Sequence, residues 1–202
     1  MSFKLSPALP AGSLRIGNPY LLVFLFILVF SSFPGSAKIP GPGDPAPAFN
    51  GRDSAGKMIY SSDYFGPNRP KNNGPARPAV ILMFSSQGCP PCERMLPALT
   101  RFYLAWNPAG VEILLIRHRE KPQELQTYQR EHKVPFPVLS DQYGTIAQSY
   151  GVIAFPKIFI LNPAGKITRT IIGEDTNLSQ TLEKEMAKLG VKTQPKPEEG
   201  NK

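Results

Sequence analysis

The residues best suited to chemistry are two cysteines, Cys89 and Cys92, in the stretch FSSQGCPPCERMLP at 84–97. They are the only cysteines in the chain, and Pro90 and Pro91 fill the space between them. A disulfide between residues so close in sequence closes almost no loop, so it removes little entropy from the unfolded chain. Such a pair is better suited to forming and breaking a disulfide than to holding a fold together. We therefore interpret the two cysteines as a redox-active pair.

The elements on either side place this pair between a strand and a helix. The apolar run VILMF at 80–84 is too short for a helix and predicts a strand buried on both faces. After Cys92, apolar residues recur every three or four positions, which predicts an amphipathic helix with Met95, Leu96, Leu99, Phe102, Tyr103 and Trp106 on its inner face.

Cys89 is expected at or just before the first residue of this helix. Free backbone N–H groups and the positive end of the helix dipole favour an anion there, which lowers the pKa of a thiol and produces the nucleophilic thiolate. Cys92, one turn further on and more covered, is expected to resolve the mixed disulfide. Proline is tolerated in a first turn, but Pro90 and Pro91 remove two donors. We hypothesise that the pKa of Cys89 is lowered, yet less than with non-proline residues in the gap.

The rest of the chain predicts an α/β fold with a mixed central sheet flanked by helices on both sides. Parallel strands require helical crossovers, and a later hairpin adds antiparallel pairing. Predicted strands and extended segments lie at 58–60, 111–116, 136–141, 157–161 and 166–173, and predicted helices at 122–133, 145–151 and 177–190. Pro156 directly precedes one strand, which indicates either the start of an edge strand or a cis peptide bond.

The first residues indicate export. Lys4 and Arg15 precede the apolar run YLLVFLFILVF at 20–30, and SSFPGSA follows, with Gly35 and Ala37 as small residues before a cleavage point. This pattern is typical of a secretory signal peptide, and the run is shorter than a spanning helix requires. An uncleaved anchor is the alternative. We predict a signal peptide or anchor at 1–37, one domain at 38–190 and a disordered tail at 191–202.

The net charge and the candidate metal ligands limit which partners and cofactors we expect this chain to bind. The formal net charge is +8, but no basic run carries interleaved aromatic residues, so nucleic acid is not an expected partner. Zinc needs four ligands, and beside the cysteines only His118 and His132 are candidates, at no recognised spacing. We expect no metal site and no cofactor, although thiolates would also suit a copper(I) carrier. His118 is interpreted as a solvated strand end and His132 as part of a charged helix face.

In order along the chain, GDPAPAF, the apolar strand, CPPC, Pro97, FPVLSD and YGVIAFPKIFILNPAGKI resemble the thioredoxin superfamily. The resemblance is to its exported branch, which includes TlpA, ResA and DsbE, and it spans about 43–173. It implies a thioredoxin-like fold in which Pro156 is cis and lies beside the cysteines. It also implies that Phe155 contributes backbone to substrate docking and that Pro97 kinks the active-site helix. The implied function is a thiol–disulfide oxidoreductase for exported proteins, in the periplasm or secreted.

The resemblance further implies a reductant that receives electrons from a membrane donor, with cytochrome maturation or a metal-site protein as its target. Two positions depart from that pattern, because Gln87 and Gly88 replace a common Trp and Met95 replaces a Glu typical of cytochrome-maturation members. A peroxiredoxin-like thiol peroxidase is the remaining alternative. Its motif would put Pro and Thr or Ser at the positions of Leu82 and Ser86, so half of that motif is present.

Overall fold

The structure is a computed structural model that describes residues 38–70, 74 and 76–192. All elements below belong to the unit that begins at Ile39. The predicted signal peptide or anchor at 1–37 lies outside the described residues, as does 193–202 of the predicted tail. Among the residues described, no helix combines the length and hydropathy needed to cross a bilayer.

Seven strands form one mixed sheet in the order β2-β1-β5-β4-β3-β6-β7. The strands are β1 Asn50–Asp53, β2 Met58–Tyr60, β3 Val80–Ser86, β4 Glu112–His118, β5 Val138–Asp141, β6 Lys157–Leu161 and β7 Ile167–Ile172. The helices are α1 Pro90–Trp106, α2 Pro122–Glu131, α3 Thr145–Ser149 and α4 Leu178–Lys188. The central strands β3, β4 and β5 are parallel, and the other pairings are antiparallel.

Alternate residues of β3 enter two separate cores, which explains why the whole strand is apolar. Ile81 and Met83 belong to a core with side chains of α1, α2 and α4. Leu82 and Phe84 face the other side, where α3 and the segment around Phe49 cover the sheet. The predicted mixed sheet with helices on both faces is therefore confirmed.

The active-site helix follows its predicted pattern. The buried side chains of α1 are Cys92, Met95, Leu96, Leu99 and Phe102. Pro97 lies inside the helix with its side chain exposed, and the helix continues to Trp106. In α2, Leu125 and Tyr128 are the buried contacts, as predicted.

Ordered structure continues beyond α4 to Val191, the first residue of the predicted tail at 191–202. Gly190 adopts a left-handed conformation after α4, with φ of 71°. This turn brings the Val191 N–H within 3.0 Å of the Met186 carbonyl oxygen and buries the Val191 side chain. The arrangement is a common way to end a helix with a hydrophobic contact. The packed domain therefore reaches at least Val191.

Candidate active site

The cysteine pair and Pro156 lie at the same edge of the sheet. β6 runs antiparallel to β3, with Lys157 paired to Phe84, so the start of β6 adjoins the end of β3 that leads to Cys89. The Phe155–Pro156 peptide bond is cis, and the Pro156 carbonyl oxygen accepts the Gly173 N–H at 2.9 Å. β6 is flanked by β3 and β7, so of the two possibilities for Pro156 the cis bond is the correct one.

Cys89 and Cys92 form a disulfide with an S–S distance of 2.05 Å and a Cα–Cα distance of 5.3 Å. Cys89 is the N-cap residue of α1. Cys89 is 7% exposed, whereas Cys92 is fully buried, so the predicted difference in burial is confirmed. Gly88, with φ of 63°, supplies the turn that directs the chain from β3 into the helix. The pair therefore sits at the mouth of a helix with one sulfur nearer to solvent.

The two prolines occupy the first two helical positions, where neither can offer an N–H. The Cys92 N–H reaches the Cys89 Sγ at 3.3 Å. Because both prolines lack an N–H, Cys92 supplies the first backbone donor of this turn that can reach Cys89. Any stabilisation of a Cys89 thiolate by the backbone of this turn thus depends on a small number of N–H groups.

Three positions near the cysteines differ from the pattern of the related proteins, and each is either buried in the apolar core or exposed. Met95 is buried in the same core as Cys92, which fits its interpretation as a core residue. Glu93 is exposed and lies on another face of the helix. Gln87 and Gly88 are also exposed.

A buried polar cluster lies on the α1 and α2 side of the sheet, and we call Ser85, Arg117, Glu120 and Tyr128 the Arg117 cluster. The Arg117 guanidinium donates to Glu120 Oε2 from Nε at 3.0 Å and to Ser85 Oγ from Nη1 at 2.8 Å. Its Nη2 lies 2.7 Å from Glu120 Oε1, and its Cζ lies 3.7 Å from the centroid of the Tyr128 ring. Burial raises the pKa of Tyr128, while the positive charge of Arg117 opposes that shift.

The Arg117 cluster is not among the features predicted from the sequence. The predicted strand at 111–116 ends at Ile116, whereas β4 continues through Arg117 to His118. Parallel pairing then sets Arg117 directly beside Ser85 of β3 and Ser140 of β5. A charged residue that directly follows a buried apolar strand was the available signal, but its partners come from other elements.

His118 occupies the opposite side of the sheet and differs from its interpretation as a solvated strand end. It is the last residue of β4, but its side chain is only 22% exposed. Its ring centroid lies 5.1 Å from that of Phe155, and its Nδ1 lies 3.6 Å from Asp141 Oδ2. The reason is parallel register, which pairs His118 with Asp141 on β5 and Ser86 on β3. His118 thus belongs to the surroundings of Phe155 and Pro156.

His132 lies away from this edge. It directly follows α2, and its ring centroid lies 4.3 Å from that of Tyr128. Among the cavities of the described residues, one is lined by His132 together with Glu93, Pro97 and Arg101 on the outer side of α1. Nothing in this arrangement contradicts its interpretation as part of a charged helix face.

Comparison with known proteins identifies the family of the chain. Residues 42–170 match the model of the AhpC/TSA family. The thiol-disulfide oxidoreductase ResA of Bacillus thuringiensis subsp. konkukian is 31% identical over 73% of this chain and 78% of its own length. The sporulation thiol-disulfide oxidoreductase A of Bacillus subtilis is 28% identical over 77% of this chain and 90% of its own length.

Among solved structures, the fold resembles that of a putative thiol:disulfide interchange protein DsbE from Chlorobium tepidum. The TM-score is 0.64 at 21% identity, over 74% of this chain and 98% of that chain. The fold is therefore thioredoxin-like, as the sequence predicted. Together with the match to the family model, these similarities show that the chain belongs to the AhpC/TSA family, alongside thiol–disulfide oxidoreductases.

Proposed function

We propose that this thiol–disulfide oxidoreductase reduces disulfides of exported proteins, with Cys89 as the attacking thiolate and Cys92 as the resolving thiol. The observation that carries the proposal is the disulfide at the mouth of α1, with Cys89 at the cap, 7% exposed, and the fully buried Cys92 behind it. A helix N-terminus favours the thiolate at the first of these positions.

The proposed reaction runs in two exchange steps. The Cys89 thiolate attacks one sulfur of a client disulfide, forms a mixed disulfide, and releases the other client sulfur as a thiolate that takes up a proton. The Cys92 thiol then loses its proton and attacks Cys89 Sγ, which breaks the mixed disulfide and releases the second client thiol. The client has gained two electrons and two protons, and the chain holds the Cys89–Cys92 disulfide.

Phe155 and Pro156 are the proposed docking residues for the client. They lie at the sheet edge that carries the cysteines, and Phe155 packs against the core that contains Cys89 and Cys92. We propose that the Phe155 backbone pairs with an extended client segment, which would hold the client sulfur in line with Cys89. Pro90 and Pro91 contribute by fixing the turn that carries the two sulfurs.

The family resemblance supports a reductant that a membrane electron donor returns to the dithiol state. It also supports apocytochromes or copper-site proteins as clients, in the periplasm or outside the cell, with 1–37 as a cleaved signal peptide or an anchor. Met95, at a position where cytochrome-maturation relatives carry a Glu, argues for a client other than an apocytochrome. Both client classes are outcomes of the experiment below.

Trapping tests the assignment of roles. The Cys92→Ala variant, expressed in the native host, should retain clients on Cys89 as mixed disulfides, because the resolving thiol is absent. The matched control Cys89→Ala should retain far fewer. Equal trapping by the two variants, or a purified protein without a reversible dithiol–disulfide couple, would contradict the proposal. Rapid peroxide consumption by the reduced protein without a client disulfide would instead indicate a thiol peroxidase.

The prolines provide a finer test of the same site. Replacing Pro91 by Ala supplies an N–H at the second helical position, and we expect a lower pKa for Cys89, measured by the ultraviolet absorbance of its thiolate. Pro90→Ala should act in the same direction. Pro97→Ala, in the same helix but outside the turn, is the control. A higher pKa in both turn variants would refute the idea that the prolines limit the stabilisation of the thiolate.

A further inference from the structure

His118, Asp141 and Phe155 meet behind the proposed docking edge, on the side of the sheet away from the Arg117 cluster. The His118 and Phe155 rings are inclined by 34° with centroids 5.1 Å apart, which is contact distance for two rings. Phe155 packs against both cores of the domain, so the ring of His118 forms part of its support. A movement of this imidazole would therefore displace Phe155, which directly precedes Pro156.

The imidazole lacks a hydrogen bond at one buried atom. His118 Nδ1 is buried and has no hydrogen-bond partner, and the 3.6 Å to Asp141 Oδ2 is slightly too long for one. The Asp141 carboxylate is held in place, because Oδ1 accepts the Ile146 N–H at 3.0 Å and Oδ2 accepts the Ala147 N–H at 2.9 Å. Of the two groups, the imidazole is the one that can shift to close the gap.

From this geometry we infer that His118 is a positioning residue for client exchange, and the inference rests on the proposed function. When the imidazole is protonated, both nitrogens carry N–H groups and its charge attracts the Asp141 carboxylate. The ring then moves toward Asp141, which alters its contact with Phe155 and the backbone that docks the client. Exchange at Cys89 therefore acquires a pH-dependent step that belongs to His118.

Two other charged residues lie on the same side of the sheet as His118. Arg119 follows His118 in sequence, and both side chains border Gly144. A methyl group on Gly144 would lie 2.8 Å from the His118 Cε1 and 3.6 Å from the Arg119 Nε. From β6, the Lys157 Nζ donates to the Gly151 carbonyl oxygen at 3.1 Å, and burial lowers its pKa. From β3, the neighbour of His118 in register is the uncharged Ser86.

The chain has two histidines, which makes the experiment direct. The rate at which the reduced protein cleaves a peptide disulfide is measured between about pH 5 and pH 8 and divided by the thiolate fraction of Cys89. We expect a remaining step of roughly twofold to fivefold, the size of a partly exposed charge effect, at the midpoint of the His118 titration seen by NMR. His118→Gln should remove the step, and His132→Gln should keep it. A step of the same midpoint in His118→Gln would overturn the inference.

A second measurement needs no variant. In the wild-type protein, the NMR signals of the Phe155 ring and amide should follow the His118 titration and not that of His132. Phe155 signals that stay constant through the His118 titration would overturn the inference. If the Cys89–Cys92 couple is reversible in glutathione buffers but the rate shows no step, only the role of His118 fails. If the couple is not reversible, the proposed function fails with it.

Discussion

Two arginine–glutamate pairs near the active site have the same chemistry in opposite surroundings. Arg94, near the start of α1, donates to Glu174 from Nε at 2.8 Å and from Nη2 at 2.6 Å. Arg117 makes the corresponding two contacts with Glu120 at 3.0 and 2.7 Å. The side chains of the first pair are 59% and 29% exposed, and those of the second are 3% and 7% exposed.

The difference shows that the same ion pair contributes differently depending on its solvent. Water and salt screen the Arg94–Glu174 pair, which links the start of α1 to the chain beyond β7. The Arg117–Glu120 pair has lost its water, and each ion depends on the other and on Ser85 and Tyr128. The buried pair is therefore expected to have a large effect on the free energy of unfolding. The exposed pair is expected to affect only the position of the start of α1.

The largest expected effect follows from removing one buried charge. Arg117→Met should lower the free energy of unfolding by about 3–5 kcal/mol, because Glu120 then remains buried without its counter-ion. Arg94→Met is the matched control and should change the stability far less. Urea denaturation followed by circular dichroism measures both. Similar losses in the two variants would show that burial does not distinguish the pairs.

A second variant separates the pair itself from the penalty of breaking it. Replacing Arg117 by Met together with Glu120 by Leu removes both charges and keeps similar volumes. This double variant should recover most of the stability that Arg117→Met loses. A double variant no more stable than Arg117→Met would mean that the Ser85 and Tyr128 contacts of Arg117, and not its charge balance, account for the loss.

A smaller effect is expected on the redox couple. Glu120→Gln leaves the positive charge of Arg117 unbalanced, on the side of the sheet where Cys92 is buried. That charge favours the thiolate and hence the reduced form, so the reduction potential should rise by on the order of 10–30 mV. Glu174→Gln, beside the exposed Arg94, should leave the potential unchanged. Equilibration with glutathione measures both, and a lower potential in Glu120→Gln would contradict the argument.

The residues that the sequence predicted well are those whose environment is local. Cys89 at the cap, Pro90 and Pro91 in the first turn and the buried face of α1 all follow from spacing along one helix. For the cis bond before Pro156, the sequence pattern allows two possibilities, and the family resemblance indicates the one that the structure has.

The residues that the sequence missed depend on pairing between strands. Arg117 and His118 are adjacent in sequence, yet alternation sends one toward Tyr128 and the other toward Phe155. Their partners, Ser85 and Asp141, are set by the register of three parallel strands, which no local pattern encodes. Only the pairing of the strands shows that Arg117 and His118 lie on opposite faces of the sheet.

The smallest expected effect concerns the exposed pair, and its dependence on pH and salt distinguishes it from the buried one. The hydrogen bond from Arg94 lowers the pKa of Glu174 below its usual 4.5. A carboxylate whose pKa is lowered in the folded state stabilises the fold above the unfolded value, and this contribution is lost as the pH falls through the lowered value. The coupling between Arg94→Met and Glu174→Gln in a double-mutant cycle should therefore be measurable at neutral pH and decrease as the pH falls below the usual 4.5 of a glutamate. It should also weaken in about 1 M NaCl, where the Debye length is about 3 Å. A coupling of the same size under all these conditions would mean that the Arg94–Glu174 pair is shielded from solvent in the same way as Arg117–Glu120.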